Sequence, residues 1–212
     1  MNYLQRGFAA HNRGEFSEAE KYYLCHLKDV ANDFNALQLL GMLAYKAEDY
    51  QKAISYMLQS LKHNANQPNT ENNIGNAYKR ASEYKKSRRH YENAIQLEEK
   101  YQDAWNNLVS LLVETEEYVE ALSVANQADT LFGHSKRLIL LCAQARRGLL
   151  QHEQAITLLN SIIQYEPNDA SAKLELGKTY FSAGQCETAI HYYFELINAG
   201  INEFAIWHNL GN

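Results

Sequence analysis

Apolar residues recur along the whole chain at the spacing of amphipathic helices, with short polar interruptions between them. In one stretch the apolar or small positions are Leu37, Leu40, Gly41, Ala44, Tyr50, Ala53, Ile54, Met57 and Leu58. The polar run KAEDY at 46–50 divides this stretch in two. The pattern predicts two helices joined by a short turn, each burying one face.

The pattern repeats with a fixed period of 34 residues. Gly7, Gly41 and Gly75 are 34 apart, and continuing the series gives Val109, Ala143, Gly177 and Gly211. Twelve residues after each of the first six lies a small residue, and sixteen after lies mostly a bulky apolar one: Ala19, Ala53, Ser87, Ala121, Ala155, Ala189; Tyr23, Met57, Tyr91, Ala125, Leu159, Tyr193. Two helices approach closely only where both lack bulk, and the flanking large side chains then fill the grooves, so each period is predicted to be a packed helix pair.

These columns resemble the tetratricopeptide repeat family, whose motif W-x2-L-G-x2-Y is followed by a small residue, an aromatic and an alanine. The matching residues are Trp105 with Leu108, Ile74 with Gly75 and Tyr78, Leu176 with Gly177 and Tyr180, and Trp207 with Leu210 and Gly211. The family's terminal proline is present only as Pro167, and Arg146 stands where a core aromatic is usual.

The resemblance implies an all-α, right-handed superhelical solenoid of antiparallel helix pairs, forming a single array over 1–212. The predicted repeats span 1–33, 34–67, 68–101, 102–135, 136–169 and 170–203, with 204–212 the start of a truncated seventh. Because each repeat buries its face on the next, an array ending there would expose Ile206 and Leu210. We therefore expect the sequence to be a fragment of a longer chain.

The composition of the chain argues against several classes of function. The chain has 212 residues, 46% hydrophobic, with only two prolines, which favours helix throughout. A net charge of -5 gives no field that attracts nucleic acid or an anionic membrane, and no apolar run has the roughly 20 residues that span a bilayer. Three cysteines in no CxxC pair and the absence of a leader pattern at the N-terminus favour a cytoplasmic protein without disulfides.

Candidate chemistry is sparse. The sequence has no phosphate-binding loop, nucleophile elbow or HExxH motif, and no two histidines share a helical face, so we expect no catalysis, metal or cofactor. Cys142 and His152 stand at predicted core positions and are interpreted as packing residues. In the basic run 84–94, helical phase places Tyr84 and Tyr91 in the core, which favours a solvated outer face over RNA binding.

In the resembling family, the first helix of each pair lines a concave groove, and its groove positions carry over to this sequence. The predicted partner-binding residues are Asn69, Asn72, Asn73, Asn76, Lys79, Arg80, Asn106, Asn107, Arg137, Gln144, Arg147 and Lys178; the second repeat adds Asn35, Gln38, Tyr45 and Lys46. An asparagine amide both donates and accepts, which suits the backbone of an extended peptide. Asn73, Asn107 and Asn209 resemble in part the asparagine ladder of O-linked N-acetylglucosamine transferases, interrupted here by Leu141 and Glu175.

Three functions remain open. The first is a protein-interaction scaffold that binds an extended peptide or partner helix in the groove. The second is the substrate-recruiting arm of a transferase-type enzyme whose catalytic domain lies beyond Asn212. The third is head-to-tail self-association through Trp207 and Leu210. The same scaffold serves many roles, so fold alone does not choose among them.

Overall fold

A computed structural model describes residues 1–201, and this part of the chain contains twelve α-helices. They are α1 (Tyr3–Asn12), α2 (Phe16–Asp29), α3 (Phe34–Lys46), α4 (Tyr50–His63), α5 (Pro68–Arg80), α6 (Tyr84–Leu97), α7 (Gln102–Glu114), α8 (Tyr118–Phe132), α9 (Lys136–Gly148), α10 (His152–Tyr165), α11 (Ala170–Ser182) and α12 (Cys186–Asn198). Odd-numbered helices are the first members of the predicted pairs and even-numbered helices the second. The all-α solenoid of helix pairs is confirmed, and no described helix is long and apolar enough to cross a membrane.

The turn within each pair has the same backbone conformation. Gly14, Glu48, Ser82, Glu116, Leu150 and Gly184, each 34 residues from the next, all have a positive φ between 59° and 80°. The residue after each turn residue donates its N–H back to the preceding helix, as Asp49 does to the Ala44 carbonyl at 2.9 Å. This is the Schellman arrangement, which satisfies carbonyls that the end of a helix leaves free. It aims the second helix back along the first.

Helix pairs of the first compact unit, Met1–Asn107, close around the glycine column. A Cβ on Gly75 would lie 2.5 Å from Cε1 of Tyr91, and one on Gly7 equally close to Cε1 of Tyr23. Both tyrosines are fully buried. The missing side chain on the first helix is therefore what admits a large ring from the second.

The second unit begins at Leu108, within α7, and its described part ends at 201. Ala143, Ala155, Leu159 and Leu176 form one of its buried clusters, from α9, α10 and α11. In its first helix pair the large and small residues are exchanged. Val109 stands at the glycine position of the first helix, and Ala125 stands at the bulky position of the second. Both are buried, so the bulk has moved from one helix to the other.

Candidate functional site

The first unit contains an open cleft of about 330 Å³ between its first-of-pair helices. It is lined by His11 of α1, Met42, Tyr45 and Lys46 of α3, Met57 of α4, and Asn73 and Asn76 of α5. We call this the α1–α3–α5 cleft. Its walls mix apolar groups with amides and one lysine, which is the composition of a binding surface rather than of a packed core.

Helix α3 supplies the centre of the cleft because its two faces differ. Leu40 and Gly41 are buried in the helix pair, whereas Met42, the next residue, is 39% exposed. Met57 of α4 packs close to the Gly41 position and is 1% exposed, so it forms the floor. An exposed, flexible methionine above a buried one gives an adaptable apolar contact surface.

Aromatic rings contact both Lys46, which lines the cleft, and Arg80, which lies outside its lining at the end of α5. The Lys46 ammonium lies 3.8 Å from the centroid of the Phe16 ring. Arg80 donates from Nε to the Tyr50 hydroxyl at 3.1 Å, with its guanidinium 5.7 Å from that ring. Aromatic faces attract cations without neutralising them, so the positive charge stays on the surface.

Burial, and then the charge of Lys46, lower the pKa of His11 below its usual value of 6.5. The His11 imidazole is therefore neutral at pH 7, and its ring contacts Phe16 edge-on at 5.7 Å. Its Nδ1 lies 3.4 Å from the Tyr23 hydroxyl, so Nε2 is the ring nitrogen left for a ligand.

The asparagines next to the cleft bond mainly to each other. Asn107 of α7 donates from Nδ2 to Oδ1 of Asn72 at 2.9 Å and to Oδ1 of Asn76 at 3.3 Å. The Tyr91 hydroxyl donates to the same Asn76 oxygen at 2.8 Å. These bonds tie α5 to α7, so Asn72, Asn76 and Asn107 have a structural role that the sequence prediction did not include.

The predicted groove residues of the first unit thus divide into four groups. Asn73 and Asn76 line the cleft, and Asn69 and Arg80 are exposed on α5. Lys79 and Asn107 are half-buried. Asn72 and Asn106 were predicted to face a partner, but they are only 4% and 6% exposed, because their helix position faces the neighbouring helices.

In the second unit, two predicted binding residues pair with a buried carboxylate. Glu175 receives a hydrogen bond from Lys178 Nζ at 2.8 Å and lies 3.4 Å from Arg147 Nη2. Glu175 is 6% exposed, so the pairing offsets the cost of burying its charge. Arg137 is exposed at the start of α9, and Gln144 is half-buried on the same helix.

Sequence reasoning missed three residues of the cleft: His11, Met42 and Met57. The signal for two of them was present, because His11 lies 34 residues before Tyr45 and Met42 lies 34 before Asn76. Met57 was correctly assigned to the core, where it also closes the floor of the cleft.

The other sequence interpretations have mixed outcomes. Tyr91 is buried as predicted, but Tyr84 is 36% exposed, so its assignment to the core was wrong. His152 is half-buried at the start of α10, with Nε2 3.0 Å from the Ser182 hydroxyl. Cys142 is also only half-buried, on the wall of a second cleft, and burial raises the pKa of its thiol.

Among residues 1–201, no group of three or more histidine, cysteine or acidic side chains is arranged to hold a metal ion. The predicted seventh repeat, with Ile206, Trp207, Asn209 and Leu210, lies outside the described residues, and so does the predicted surface for self-association.

Comparison with family profiles finds the tetratricopeptide repeat at 34–67, 72–135 and 140–200. No curated protein sequence matches the chain.

Solved structures with this fold are numerous and distant in sequence. A tetratricopeptide repeat protein from Parabacteroides merdae has a TM-score of 0.92 at 15% identity, covering 99% of this chain and 83% of its own. Pseudomonas aeruginosa PilF has a TM-score of 0.77 at 15% identity, covering 99% and 95%. YrrB, described as a TPR protein with an unusual peptide-binding site, has a TM-score of 0.66 at 16% identity, covering 90% and 98%. At these identities the likeness shows a shared fold.

Proposed function

The chain belongs to the tetratricopeptide repeat family, and from that premise we propose that it is a protein-interaction scaffold whose α1–α3–α5 cleft holds an extended segment of a partner protein. The single observation that carries the proposal is the cleft itself, where an exposed methionine, a tyrosine and two amides converge from successive repeats. That arrangement supplies an apolar contact for a side chain and hydrogen bonds for a backbone.

The charge of the cleft's helices indicates what the partner segment carries. Helices α1 and α3 contain no aspartate or glutamate, and α5 contains one, Glu71. Glu71 is 8% exposed and lies 2.6 Å from Nδ1 of His90, on α6. Against them stand Arg6, Lys46, Lys79 and Arg80, in a chain whose net charge is -5. This local excess of positive charge favours a segment with acidic side chains.

The fold relatives support the proposal at the level of the scaffold. YrrB is described with a peptide-binding site on a solenoid of the same fold. For the present chain, peptide binding is proposed from the residues of the first unit and not from the similarity to YrrB.

The test begins with selection of peptides from a random displayed library by the purified chain. Selected sequences are expected to contain a large apolar residue with nearby aspartate or glutamate. Synthetic fluorescein-labelled copies then give a dissociation constant by fluorescence anisotropy, repeated at several salt concentrations because ion pairing weakens with ionic strength.

Three single variants separate the cleft from the rest of the surface. Met42→Glu and Lys46→Glu are each expected to weaken binding roughly tenfold or more, since both change a central contact. Lys85→Glu makes the same charge change as Lys46→Glu at an exposed site on α6 and is expected to have little effect. Equal losses in all three variants would show a general charge effect and contradict the proposal.

A further inference from the structure

The second unit has its own cleft, which the proposed peptide binding does not use. It has a volume of about 320 Å³ and lies among α8, α9 and α10. Its apolar wall consists of Leu122, Leu138, Ile139 and Leu158, and its polar groups include Arg146 and the Cys142 thiol. We call it the α8–α10 cleft.

The cleft lies where the sequence departs from its own repeat. Cys142 is the register equivalent of Leu40, Ile74, Leu108 and Leu176, none of which is more than 5% exposed. Arg146 is the equivalent of Tyr78, Leu112 and Tyr180, and also of the small residues Ala10 and Ala44. Cys142 is thus smaller than the apolar residue at its position in four of the five other repeats, and Arg146 is charged where all five hold an apolar residue. The smaller side chain of Cys142 leaves space that packing would otherwise fill. Such a loss of packing costs stability, so departures of this kind are typical of functional positions.

The charge of Arg146 is not matched by a carboxylate. Its Nη1 donates to the side-chain oxygens of Gln151, at 3.1 Å, and Gln154, which are both neutral acceptors. Within the described chain Arg146 forms no ion pair. Both bonds use Nη1, so the Nη2 side of the guanidinium remains able to bind a carboxylate through two parallel hydrogen bonds.

The acidic group on the cleft wall is already paired. Asp129 Oδ1 forms a short contact with Nδ1 of His134, and both residues belong to the lining. The cleft therefore combines four aliphatic side chains with Arg146 and with Asp129, whose carboxylate bonds to His134 and not to Arg146.

We propose that the α8–α10 cleft binds a small carboxylic acid with an aliphatic or aromatic body, held by its carboxylate at Arg146 and by its body on the four aliphatic side chains. Charge-assisted pairing with arginine supplies orientation, and burial of the apolar body supplies affinity. The volume is at the lower end of the range of about 300–1,000 Å³ typical of small-ligand sites, which favours a small molecule over a peptide segment.

Cys142 provides a direct reporter of occupancy, because it lies on the cleft wall. A Cys25→Ser, Cys186→Ser variant keeps Cys142 as its single thiol, and its rate of reaction with an aromatic disulfide is measured with hexanoate, octanoate or 3-phenylpropanoate. We expect saturable protection by at least one of these acids. The matched neutral amide is expected to bind roughly tenfold more weakly or worse, because a hydrogen bond to a charged partner is lost.

Two further variants test the assignment. Arg146→Gln, at a half-buried position, should remove the preference for the acid over the amide. Cys142→Leu, which restores the residue of the other repeats, should raise the melting temperature and abolish the shift in that temperature caused by the acid. A Cys186-only variant serves as the control for direct effects of the acids on the reagent.

The proposal is overturned if none of the three acids protects Cys142 up to its solubility limit, or if acid and amide protect equally. It is also overturned if Arg146→Gln keeps the wild-type preference. None of these outcomes bears on peptide binding by the α1–α3–α5 cleft, so the two proposals fail separately.

Discussion

The position of a turn residue in the repeat, rather than its residue type, determines its backbone conformation. Gly14 and Gly184 have a positive φ, which glycine adopts readily, but Glu48, Ser82, Glu116 and Leu150 adopt it at the equivalent positions. The cost of this conformation in a non-glycine residue is about 1–2 kcal/mol. Packing of the helix pairs overrides that local preference four times in the described chain.

Replacing Leu150 by glycine should therefore stabilise the protein. Leu150 has a φ of 60° and is 71% exposed, so little packing is lost with its side chain. We expect Leu150→Gly to raise the free energy of unfolding by about 0.5–1 kcal/mol, the relief of strain less the added entropy of the unfolded chain. Urea denaturation measures it. The reverse change, Gly184→Leu, should lower stability by a similar amount, and a gain in both variants would contradict the explanation.

His11 should make stability depend on pH. Burial and the charge of Lys46 lower its pKa below 6.5 in the folded state. Between the folded pKa and 6.5, the unfolded chain binds more protons than the folded one, so stability falls as the pH drops through 6.5. Urea midpoints above and below this window should differ more in the wild type than in His11→Gln. Identical pH dependence in the two proteins would show that His11 does not contribute.

The candidate site illustrates which residues can be predicted from sequence. Asn73, Tyr45 and Lys46 were predicted from groove positions and do line the cleft. Asn72 was predicted on the same basis, but its side chain bonds to Asn107, a contact 35 residues away that no local pattern encodes. The α8–α10 cleft was missed because it results from absent volume at Cys142, which sequence reasoning had assigned to a filled core.

At the scale of the helix pair, the glycine column and its bulky partners act together. Gly75 with Tyr91, Ala143 with Leu159 and Val109 with Ala125 are three solutions to the same packing problem. Each helix pair requires a suitable combined volume of the two side chains, rather than a particular residue at either position. This is why the fold was predictable from periodicity although one of the six glycine positions is valine.

A double-mutant cycle should reveal this coupling. Gly75→Ala places a Cβ 2.5 Å from the Tyr91 ring and is expected to cost about 1–3 kcal/mol, the usual range for overpacking. In a Tyr91→Leu background, which copies the Ala143 and Leu159 pair, the same change should cost much less. The free energies of unfolding of the four proteins give the coupling. Additive costs would mean that the two positions pack independently.

At the scale of the whole molecule, charge is unevenly distributed. The chain has 25 acidic and 20 basic residues, yet the first-of-pair helices α1 and α3 contain no acid. A helix that only has to be solvated does not need to lack acidic residues. An acidic partner segment explains this lack better than a neutral one does, and long-range attraction of this kind mainly raises the association rate.

The predictions of a transferase-type recruiting arm and of head-to-tail association concern residues beyond 201 and stay predictions. The scaffold proposal does not depend on either, because the α1–α3–α5 cleft lies entirely within the first unit.

The most direct test of the scaffold proposal is site-specific photocrosslinking of a selected peptide. A benzoylphenylalanine is placed at Met42, in the cleft, or at Tyr84, on α6, which are 39% and 36% exposed and therefore equally accessible to solvent. The account predicts that the labelled peptide crosslinks at position 42 and not at 84, and that excess unlabelled peptide competes. Crosslinking at 84 alone, or equally at both positions, would contradict the placement of the partner in the cleft.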